Sequence, residues 1–501
     1  MNFQILAFAL YFSMMLGIGI YFFVKTKDHS SDGDYFLGGR QMGPWVTAMS
    51  AQASDMSAWL LMGLPGSILA FGLGQAWIGI GLAIGTIANW ILVAKRLRKF
   101  SKAAGDAITL PQYFSNRFLA KNHALSIICA VVFLVSFTIY VASSFVAGAT
   151  VFQTLVPSLT KSTAMLIFAA IIILYTFLGG FKAVCWTDFI QGTLMLIALL
   201  SVPVIILVTE DLDTAKLAAV YVNASDGTEY AFVGNLFSAS WQDIVSGLAW
   251  GLGYFGMPHI LIRFMSIEKP SMVKKSATVA IIWVILSLGA TIAIAYLGRM
   301  IVAEQLLEAG KQDTIFITLA GKYFPPFIAG ILMAAIIAAS MSTADSQLLV
   351  ASSSFTSDIY KPVIKKNASD KEVLWVGRLT VLVVAIVAYF IASSKGSGAQ
   401  AIMDMVSNAW ALFGASFGPV VILSLFWKRF TYEGAIAGIV GGAVVDIVWY
   451  NFLASSTGVY ELLPGFAAGL CCAILATLIS KAPSKEVEAI FEKATNRAID
   501  D

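Results

Sequence analysis

Charged side chains are scarce in this sequence. Of its 501 residues, 12% are Asp, Glu, Lys or Arg, whereas 58% are hydrophobic. A soluble domain carries about twice that charged fraction, roughly 25%, and a water-soluble fold of this length could not cover its surface with so few charges. The composition therefore excludes an array of soluble domains and predicts a polytopic membrane protein.

Residues that form disulfides or bind metals are equally few. The chain has four cysteines and three histidines. Cys129, Cys185, Cys471 and Cys472 show no paired spacing, which argues against a disulfide framework or a zinc site. The scattered histidines argue against a metal cluster, and we find no nucleophile–base pair or phosphate-binding loop. We therefore expect no enzymatic activity, no cofactor and no nucleic-acid partner.

Long apolar runs, in contrast, recur along the whole chain. Each is about 20 residues long or more, which is the length that a helix needs to cross the hydrocarbon core of a bilayer. Thirteen such runs lie near residues 3–24, 44–71, 75–95, 123–151, 163–181, 187–208, 236–258, 276–302, 326–356, 373–393, 400–426, 431–453 and 460–480. The first run lacks the flanking features of a cleavable signal. The predicted fold class is an all-α polytopic membrane protein with about thirteen transmembrane helices.

Basic residues are distributed unevenly among the segments between these runs. If the N-terminus is outside, the cytoplasmic segments hold about 25 of the 32 Lys and Arg residues, which is the side where such residues are retained. This bias predicts a multi-pass protein of the bacterial cytoplasmic membrane with an exterior N-terminus and a cytoplasmic C-terminus. The polar tail after Pro483 has apolar residues at helical spacing, so we expect a short surface helix there.

Four carboxylates fall inside apolar runs, at Asp55, Asp188, Asp345 and Asp446. An ionised side chain at the bilayer centre costs at least about 2.5–3.5 kcal/mol, and no Lys or Arg except Arg378 occurs at comparable depth. Carboxylates without basic partners, surrounded by Ser and Thr, favour a small hard cation such as Na⁺ or H⁺. The alternative is a helix cap or a bond to a neighbouring helix. That alternative is favoured for Asp446 and stays open for Asp188, a candidate N-cap of span 6.

Two of the spans contain helix-breaking sequences. Span 2 has a polar, small-residue core at 53–58 followed by Gly-Leu-Pro-Gly, and span 7 contains three glycines and a proline within 250–258. Unwound backbone at membrane depth is tolerable only where it lines a cavity. Counted from span 2, the breaks fall at the first and sixth helices of a ten-helix set, as expected for a transporter built from inverted repeats. Kinks at close packing contacts are the alternative, which explains one break better than two.

Aromatic residues cluster near the same breaks. Trp59 follows the first break, Trp250 and Tyr254 surround the second, and Tyr140 lies in span 4. Each has a flat apolar face with a polar edge, which suits a small organic solute, although a packing role is the simpler interpretation for any one of them.

Several motifs along nearly the whole chain combine these features. They are Asp34-Tyr-Phe-Leu-Gly-Gly-Arg40, Ser54-Asp-Met-Ser-Ala-Trp-Leu-Leu-Met-Gly-Leu-Pro-Gly66, Thr138-Ile-Tyr140, Gly179-Gly-Phe-Lys-Ala-Val-Cys-Trp-Thr-Asp188 with Gln191, Gly253-Tyr-Phe-Gly-Met-Pro-His259 with Arg263-Phe-Met265, Met341-Ser-Thr343 with Gln347-Leu-Leu349, and Trp375-Val-Gly-Arg378. Together they resemble the sodium:solute symporter family, and within it the members that carry proline.

The resemblance implies a LeuT-like fold and a transport function. Two inverted five-helix repeats with broken first helices would occupy 44–208 and 209–427, flanked by 1–43, the peripheral helices in 428–480 and the tail. Na⁺ entry would drive the uptake of L-proline by alternating access in a functional monomer. The alternative within the family is another small solute, such as pantothenate, a sugar or a different amino acid. An ion channel or a membrane-bound sensor is the alternative from another class.

The resemblance also implies roles for individual residues. The main sodium site would lie between span 2 and span 9, with carbonyl oxygens of Ala53, Met56 and Ala339 and hydroxyls of Ser342 and Thr343. The proline pocket would comprise Ser54, Trp59, Tyr140, Trp250, Tyr254 and Pro258. Arg40 would act in coupling or gating. Asp55 and Ser57 match positions that matter for sodium use, where Asp55 either contacts the ion or shapes the break. Asp188, Asp345 and Ser346 could form a second cation site, which leaves one or two Na⁺ ions per solute open.

Overall fold

The structure is a computed structural model that describes residues 3–26, 32–394 and 399–496. Lys27, Lys395 and Arg497 are among the basic residues used to predict the orientation in the membrane, and they lie outside the described residues. The helices are α1 Phe3–Thr26, α2 Asp32–Leu37, α3 Pro44–Met56, α4 Gly63–Phe71, α5 Ala76–Ala88, α6 Lys95–Ala103, α7 Leu110–Arg117, α8 Ala124–Leu155, α9 Lys161–Thr209, α10 Trp241–Ala249, α11 Pro258–Ser266, α12 Val273–Ile301, α13 Ala303–Glu308, α14 Ile315–Tyr323, α15 Pro326–Ser354, α16 Asp370–Ser394, α17 Ala399–Phe426, α18 Tyr432–Phe452, α19 Ala454–Thr457, α20 Leu462–Ile479 and α21 Lys485–Thr495. Two short strands, β1 Val220–Val222 and β2 Glu229–Ala231, form an antiparallel hairpin.

Most of the predicted spans are single long helices. Among the residues that the structure describes, ten helices are long and apolar enough to cross a membrane, or eleven if the bent pair α10–α11 counts as one span. The other two predicted spans fall on shorter pieces. The run at 44–71 is divided between α3 and α4, and the run at 163–181 corresponds to Lys161–Phe177, the part of α9 that precedes a non-helical residue, Gly180.

The first predicted break lies between α3 and α4. Helix α3 ends at Met56, and Ser57 adopts a φ of 44°, which is unusual for a residue with a side chain and costs conformational energy. The Ser57 hydroxyl accepts a hydrogen bond from the Trp59 amide at 3.1 Å, so it satisfies one donor that the break leaves free. A 3₁₀ turn, Ala58–Leu60, then leads toward α4. The predicted interruption is confirmed.

The second predicted break is also present, but the span around it differs from the prediction. A 3₁₀ segment, Trp250–Phe255, follows α10, and the chain bends by 44° before it continues as α11. The predicted end of this span at Pro258 is wrong. Proline is tolerated at the first position of a helix, where its missing N–H has no partner to lose, and Pro258 therefore begins α11 instead of ending the span.

Helix α15 forms the centre of the bundle. Every residue from Leu332 to Ser354 is buried, and the helix packs against α1, α3, α8 and α9. Its inner turns consist largely of Ala and Ser, and small side chains allow neighbouring helices to approach closely. This burial places the hydroxyl groups of α15 inside the protein, opposite the broken end of α3.

Two local features of the fold bear on other predictions. Asp188 lies eight residues beyond the break at Gly180 and inside α9, so its interpretation as an N-cap is wrong. The predicted tail helix is present as α21, with Val487 and Ala494 buried. The hairpin β1–β2 was not predicted, because three-residue strands are too short to show an alternating pattern.

Candidate functional site

One hydroxyl connects α15 to the broken span 2. Ser342 Oγ lies 2.8 Å from the carbonyl oxygen of Ala53 and 3.2 Å from that of Ala339. Thr343, the next residue, is fully buried and its hydroxyl has no hydrogen-bond partner among the described residues. The structure therefore brings three predicted sodium ligands into contact and leaves a fourth oxygen unsatisfied nearby. Met56, the fifth, is buried at the last turn of α3.

The donor set at this position suits Na⁺. Hydroxyl and carbonyl oxygens are ligands for hard cations, and a buried hydroxyl without a partner is unfavourable unless something else satisfies it. The carbonyl oxygens at the end of α3 are available because Ser57 leaves the helical conformation and interrupts the i+4 ladder. These residues could hold a sodium ion that ties α15 to the end of α3.

Asp55 links the two broken spans. The hydroxyl of Tyr254 donates a hydrogen bond to Asp55 Oδ2 at 2.5 Å. The hydroxyl of Tyr140 lies 3.4 Å from the Asp55 carbonyl oxygen. Asp55 is buried, so its carboxylate relies on these contacts in place of water. Of the two roles left open for Asp55, the geometry supports the shaping of the break, because its side chain joins the end of α3 to the second break.

A small aromatic cavity adjoins Asp55. Four of the predicted proline-pocket residues line it, namely Trp59, Tyr140, Trp250 and Tyr254. The rings of Trp59 and Trp250 are stacked with centroids 5.7 Å apart. The free volume is about 10 Å³, which is near the minimum for one water molecule, about 10–15 Å³. The cavity is therefore closed in this structure and has to widen to admit an organic solute.

The other two predicted pocket residues do not line this cavity. The Ser54 hydroxyl is bonded to the carbonyl of Ala51 in its own helix at 3.2 Å, and Pro258 begins α11. Three lining residues were missed, namely Leu82 in α5 and Val406 and Trp410 in α17.

Trp410 is the most informative of the missed residues. Its indole N–H donates to the Trp250 carbonyl at 2.8 Å, and its ring contacts Tyr254 edge-on at 5.0 Å. A glycine is required opposite this ring, because a Cβ on Gly253 would lie 2.0 Å from the indole nitrogen. The signal in the sequence was a single Trp in an apolar span, which is more often a packing residue.

The predicted second cation site contains a buried base. Arg263 of α11 lies 3.2 Å from Asp188, and both side chains have no exposed surface. Arg263 also donates to the hydroxyls of Ser50 at 3.0 Å and Ser346 at 2.5 Å. Arg263 is therefore a base at the depth of the carboxylates, and the prediction that only Arg378 lies there is wrong. It followed from ending span 7 at Pro258, which assigned Arg263 to a cytoplasmic loop.

The cluster around Arg263 brings the predicted second-site residues together around a guanidinium group. Ser50 donates to Asp188 Oδ2 at 2.6 Å, and Ser346 lies 3.3 Å from Asp345 Oδ1. Asp188 Oδ1 and Asp345 Oδ2 accept no hydrogen bond from the described residues. Two carboxylates with one Arg leave the cluster short of positive charge if both are ionised, so a cation site at Asp188, Asp345 and Ser346 stays a prediction.

Arg40 precedes α3, whose other end borders the aromatic cavity. Its guanidinium lies 2.7 Å from Asp106 and donates to the carbonyl oxygens of Met265 at 2.5 Å and Ala107 at 2.7 Å. A fourth contact reaches the Ser101 hydroxyl at 3.1 Å. Arg40 therefore joins the segment before α3 to the end of α11 and to the α6–α7 connection. These contacts connect parts of both broken spans, and the gating role of Arg40 stays a prediction.

Replacing Arg40 with glutamine is expected to open this end of the bundle. The native Cys185 is buried next to the Arg263 cluster, so it can report access from the Arg40 side. In a background with the other three cysteines changed to alanine, we expect Arg40→Gln to raise the rate of maleimide labelling of Cys185 about tenfold, since a charge-assisted network worth about 1.5–3 kcal/mol is lost. Lys102→Gln, at an exposed basic residue of α6, is the control. Equal labelling rates in both variants would contradict the gating role.

Comparison with known proteins places this architecture. The sequence profile of the sodium:solute symporter family matches residues 35–442. The sodium/proline symporter of Haemophilus influenzae is 44% identical over 498 residues, which is 98% of this chain and 97% of that protein. The high-affinity proline transporter PutP of Bacillus subtilis is 43% identical over 95% of this chain and 98% of its own length. A substrate-bound, outward-open Na⁺-coupled sialic acid symporter has a TM-score of 0.75 at 21% identity, covering 96% of this chain and 99% of that one. The predicted LeuT-like, all-α fold is confirmed by this likeness.

Proposed function

This chain belongs to the sodium:solute symporter family, and we propose that it couples the entry of Na⁺ to the uptake of L-proline by alternating access. The observation that carries the proposal is the contact of the Ser342 hydroxyl with the Ala53 and Ala339 carbonyl oxygens. Ala53 is two residues from Asp55 in α3, and Asp55 borders the aromatic cavity. The candidate ion-binding residues and the candidate solute pocket therefore lie at the same broken helix.

Sodium binding would act on the end of α3. Ala53, Met56, Ala339, Ser342 and Thr343 would supply oxygens in place of the ion's water. The Ser342 hydroxyl has one proton to donate, and the nearer of its two carbonyl acceptors is Ala53 at 2.8 Å, with Ala339 at 3.2 Å. An ion would take over these oxygens and would hold α3 against α15 more firmly. Because this arrangement favours one conformation over another, the ion shifts the equilibrium by its difference in affinity for the two states.

Proline recognition would use the neighbouring aromatic side chains and the broken backbone. The flat faces of Trp59 and Trp250 suit the apolar pyrrolidine ring. The carboxylate of proline would face backbone N–H groups at the start of a half-helix, where the helix dipole favours negative charge. Trp250 and Trp410 line the cavity, and the ring of Trp250 stacks on those of Trp410 and Tyr460 with centroid distances of 6.3 and 5.2 Å. Part of this stack has to move before the solute can enter.

The electrical driving force is sufficient for accumulation. One positive charge that moves inward through about 100 mV releases about 2.3 kcal/mol. That energy corresponds to a solute gradient of about fifty-fold, because a tenfold gradient requires about 1.4 kcal/mol. The chemical gradient of Na⁺ adds to this value.

The direct test is uptake of radiolabelled L-proline into proteoliposomes. An inward Na⁺ gradient is expected to cause transient accumulation above the external concentration, whereas an equal K⁺ gradient gives only equilibration. A panel of unlabelled solutes, including pantothenate, sugars and other amino acids, checks the substrate, and only proline or a close analogue is expected to compete. Equal uptake in Na⁺ and K⁺ would contradict the coupling, and stronger competition by another solute would contradict the proline assignment.

The proposal includes a location and an orientation. The chain would lie in the bacterial cytoplasmic membrane with its N-terminus outside, so that Arg40 and the basic helix α6 face the cytoplasm, where Lys and Arg are retained. Its action as a monomer is also part of the proposal. The division into inverted repeats, 44–208 and 209–427, is part of the same proposal.

A further inference from the structure

We propose that Asp358 forms a separate binding site for a monovalent cation in a polar chamber at the Arg40 end of the bundle. Asp358 follows α15 in a π-helical segment, Phe355–Ile364. It is fifteen residues beyond Thr343, or roughly 20 Å at the rise of a helix, so it is distinct from the candidate sodium site. The inference adds a site to the proposed symporter and does not depend on proline being its solute.

The chamber is large and its walls are rich in oxygen. It has a volume of about 700 Å³ and lies between the α6–α7 connection, α7, the start of α8, the π-helical segment and α21. Its polar lining consists of Gln112, Ser115, Asn116, Asn122, Ser126 and Ser357, with Asp358 and with His123 near α8. Neither Lys nor Arg occurs among the lining residues that the structure describes. Asp358 is the one carboxylate among the described lining residues, and it has no Lys or Arg beside it in this wall.

The carboxylate of Asp358 is incompletely satisfied. It is 1% exposed, and its Oδ1 accepts a hydrogen bond from the Thr109 hydroxyl at 2.9 Å. Its Oδ2 accepts no hydrogen bond from the described residues, and the Ser354 hydroxyl beside it completes none. The Ser357 hydroxyl likewise has no hydrogen-bond partner within the described part of the chain. A buried carboxylate with a free oxygen is costly unless a proton or a cation neutralises it.

The local backbone gathers these oxygens on one side. Ser354, Ser357 and Asp358 are spaced three and four residues apart, which places side chains on the same face of a helix. The π-helical segment follows directly after Ser354, and π-helical turns are frequent at functional sites. Thr109 adds a hydroxyl from the segment before α7. One carboxylate and three hydroxyls form a donor set for a hard cation of low charge, and the chamber leaves room for some of its water.

The position suggests a function during ion release. Asp358 continues the helix that carries Ser342, at the end where the proposed orientation puts the cytoplasm. A cation held there would slow the departure of further Na⁺ from the interior. Cytoplasmic Na⁺ is therefore expected to inhibit uptake less strongly in an Asp358→Asn variant than in the parent.

Binding of ²²Na⁺ and of ⁸⁶Rb⁺, which stands in for K⁺, tests the site on purified full-length protein in nanodiscs. All variants carry Ser342→Ala, so that the main candidate site does not contribute. We expect Asp358→Asn to remove about one bound cation per chain and Asp358→Glu to retain it. Loss of ²²Na⁺ binding identifies Na⁺ as the ligand, and loss of ⁸⁶Rb⁺ binding identifies K⁺.

Asp446→Asn is the matched control, because Asp446 is also buried with one unsatisfied oxygen but lies in α18, away from the chamber. Thermal unfolding monitors folding in each variant. If Asp358→Asn removes no more of either cation than Asp446→Asn does, Asp358 is protonated and the proposal is overturned. Ser357→Ala, at a residue with more access to the chamber, provides a milder change that should weaken binding several-fold. The effect of Ser342→Ala on the total Na⁺ bound tests the main site separately.

Discussion

Alanine at Ser342 is expected to raise the Na⁺ concentration for half-maximal proline uptake by about 10- to 100-fold. The variant lacks the hydroxyl that contacts the Ala53 carbonyl at 2.8 Å and the Ala339 carbonyl at 3.2 Å. A hydrogen bond or ligand interaction with a charged partner contributes about 1.5–3 kcal/mol, and each 1.4 kcal/mol changes an equilibrium constant tenfold. Initial rates of uptake in proteoliposomes, measured over a range of Na⁺ concentrations, give this value.

Ser340→Ala is a control on the same helix. Ser340 is equally buried, but its hydroxyl bonds to the Ile336 carbonyl of its own helix at 3.0 Å. We expect its Na⁺ dependence to stay within about twofold of the parent, since such a helical back-bond contributes little. If Ser342→Ala and Ser340→Ala have the same Na⁺ dependence, the candidate sodium site is in the wrong place.

Glutamine at Arg263 is expected to destabilise the folded protein by about 3–5 kcal/mol, because it removes one partner of a buried ion pair and leaves the other charge uncompensated. Arg263 and Asp188 lie 3.2 Å apart with no exposed surface. The loss also leaves the hydroxyls of Ser50 and Ser346 without their donor. Thermal unfolding in detergent, followed by tryptophan fluorescence, measures the change.

A double variant separates the lost pair from a general defect in packing. Asp188→Asn together with Arg263→Gln removes both charges, so we expect it to be more stable than Arg263→Gln alone. The single variant Asp188→Asn completes the comparison. If the destabilisation of the double variant equals the sum of those of the two single variants, the Arg263–Asp188 pair contributes no specific stabilisation.

The breaks in spans 2 and 7 could be predicted from the sequence because they depend on local chemistry. Ser57 lies in a polar, small-residue stretch, and Gly253 and Gly256 precede Pro258, so each break is encoded within a few residues. The sequence also marks Ser342, because it lies in a stretch of small and hydroxyl residues, and its hydroxyl contacts the Ala53 carbonyl of α3. Features that are encoded by neighbouring residues can therefore be predicted without knowledge of the tertiary structure.

Arg263 and Trp410 could not be predicted in the same way. The role of Arg263 depends on α11 continuing beyond the break and meeting α9, which is a tertiary arrangement. Trp410 belongs to a span that has no break of its own, and its contact with Trp250 joins residues 160 positions apart. The sequence left a local role as a cap open for Asp188, and the structure shows a long-range ion pair with Arg263 instead.

The most direct test of the account is whether Na⁺ and proline bind cooperatively. Equilibrium binding of labelled proline over a range of Na⁺ concentrations gives the factor by which Na⁺ tightens proline binding, and ²²Na⁺ binding with and without proline gives the reciprocal factor. Coupling between sites requires the two factors to be equal, typically about 5- to 150-fold. We predict equal factors in this range for the parent, whereas Ser342→Ala is expected to need about 10- to 100-fold more Na⁺ before proline binding tightens. An affinity for proline that does not change with Na⁺ would contradict the coupling of the two sites across the broken helix.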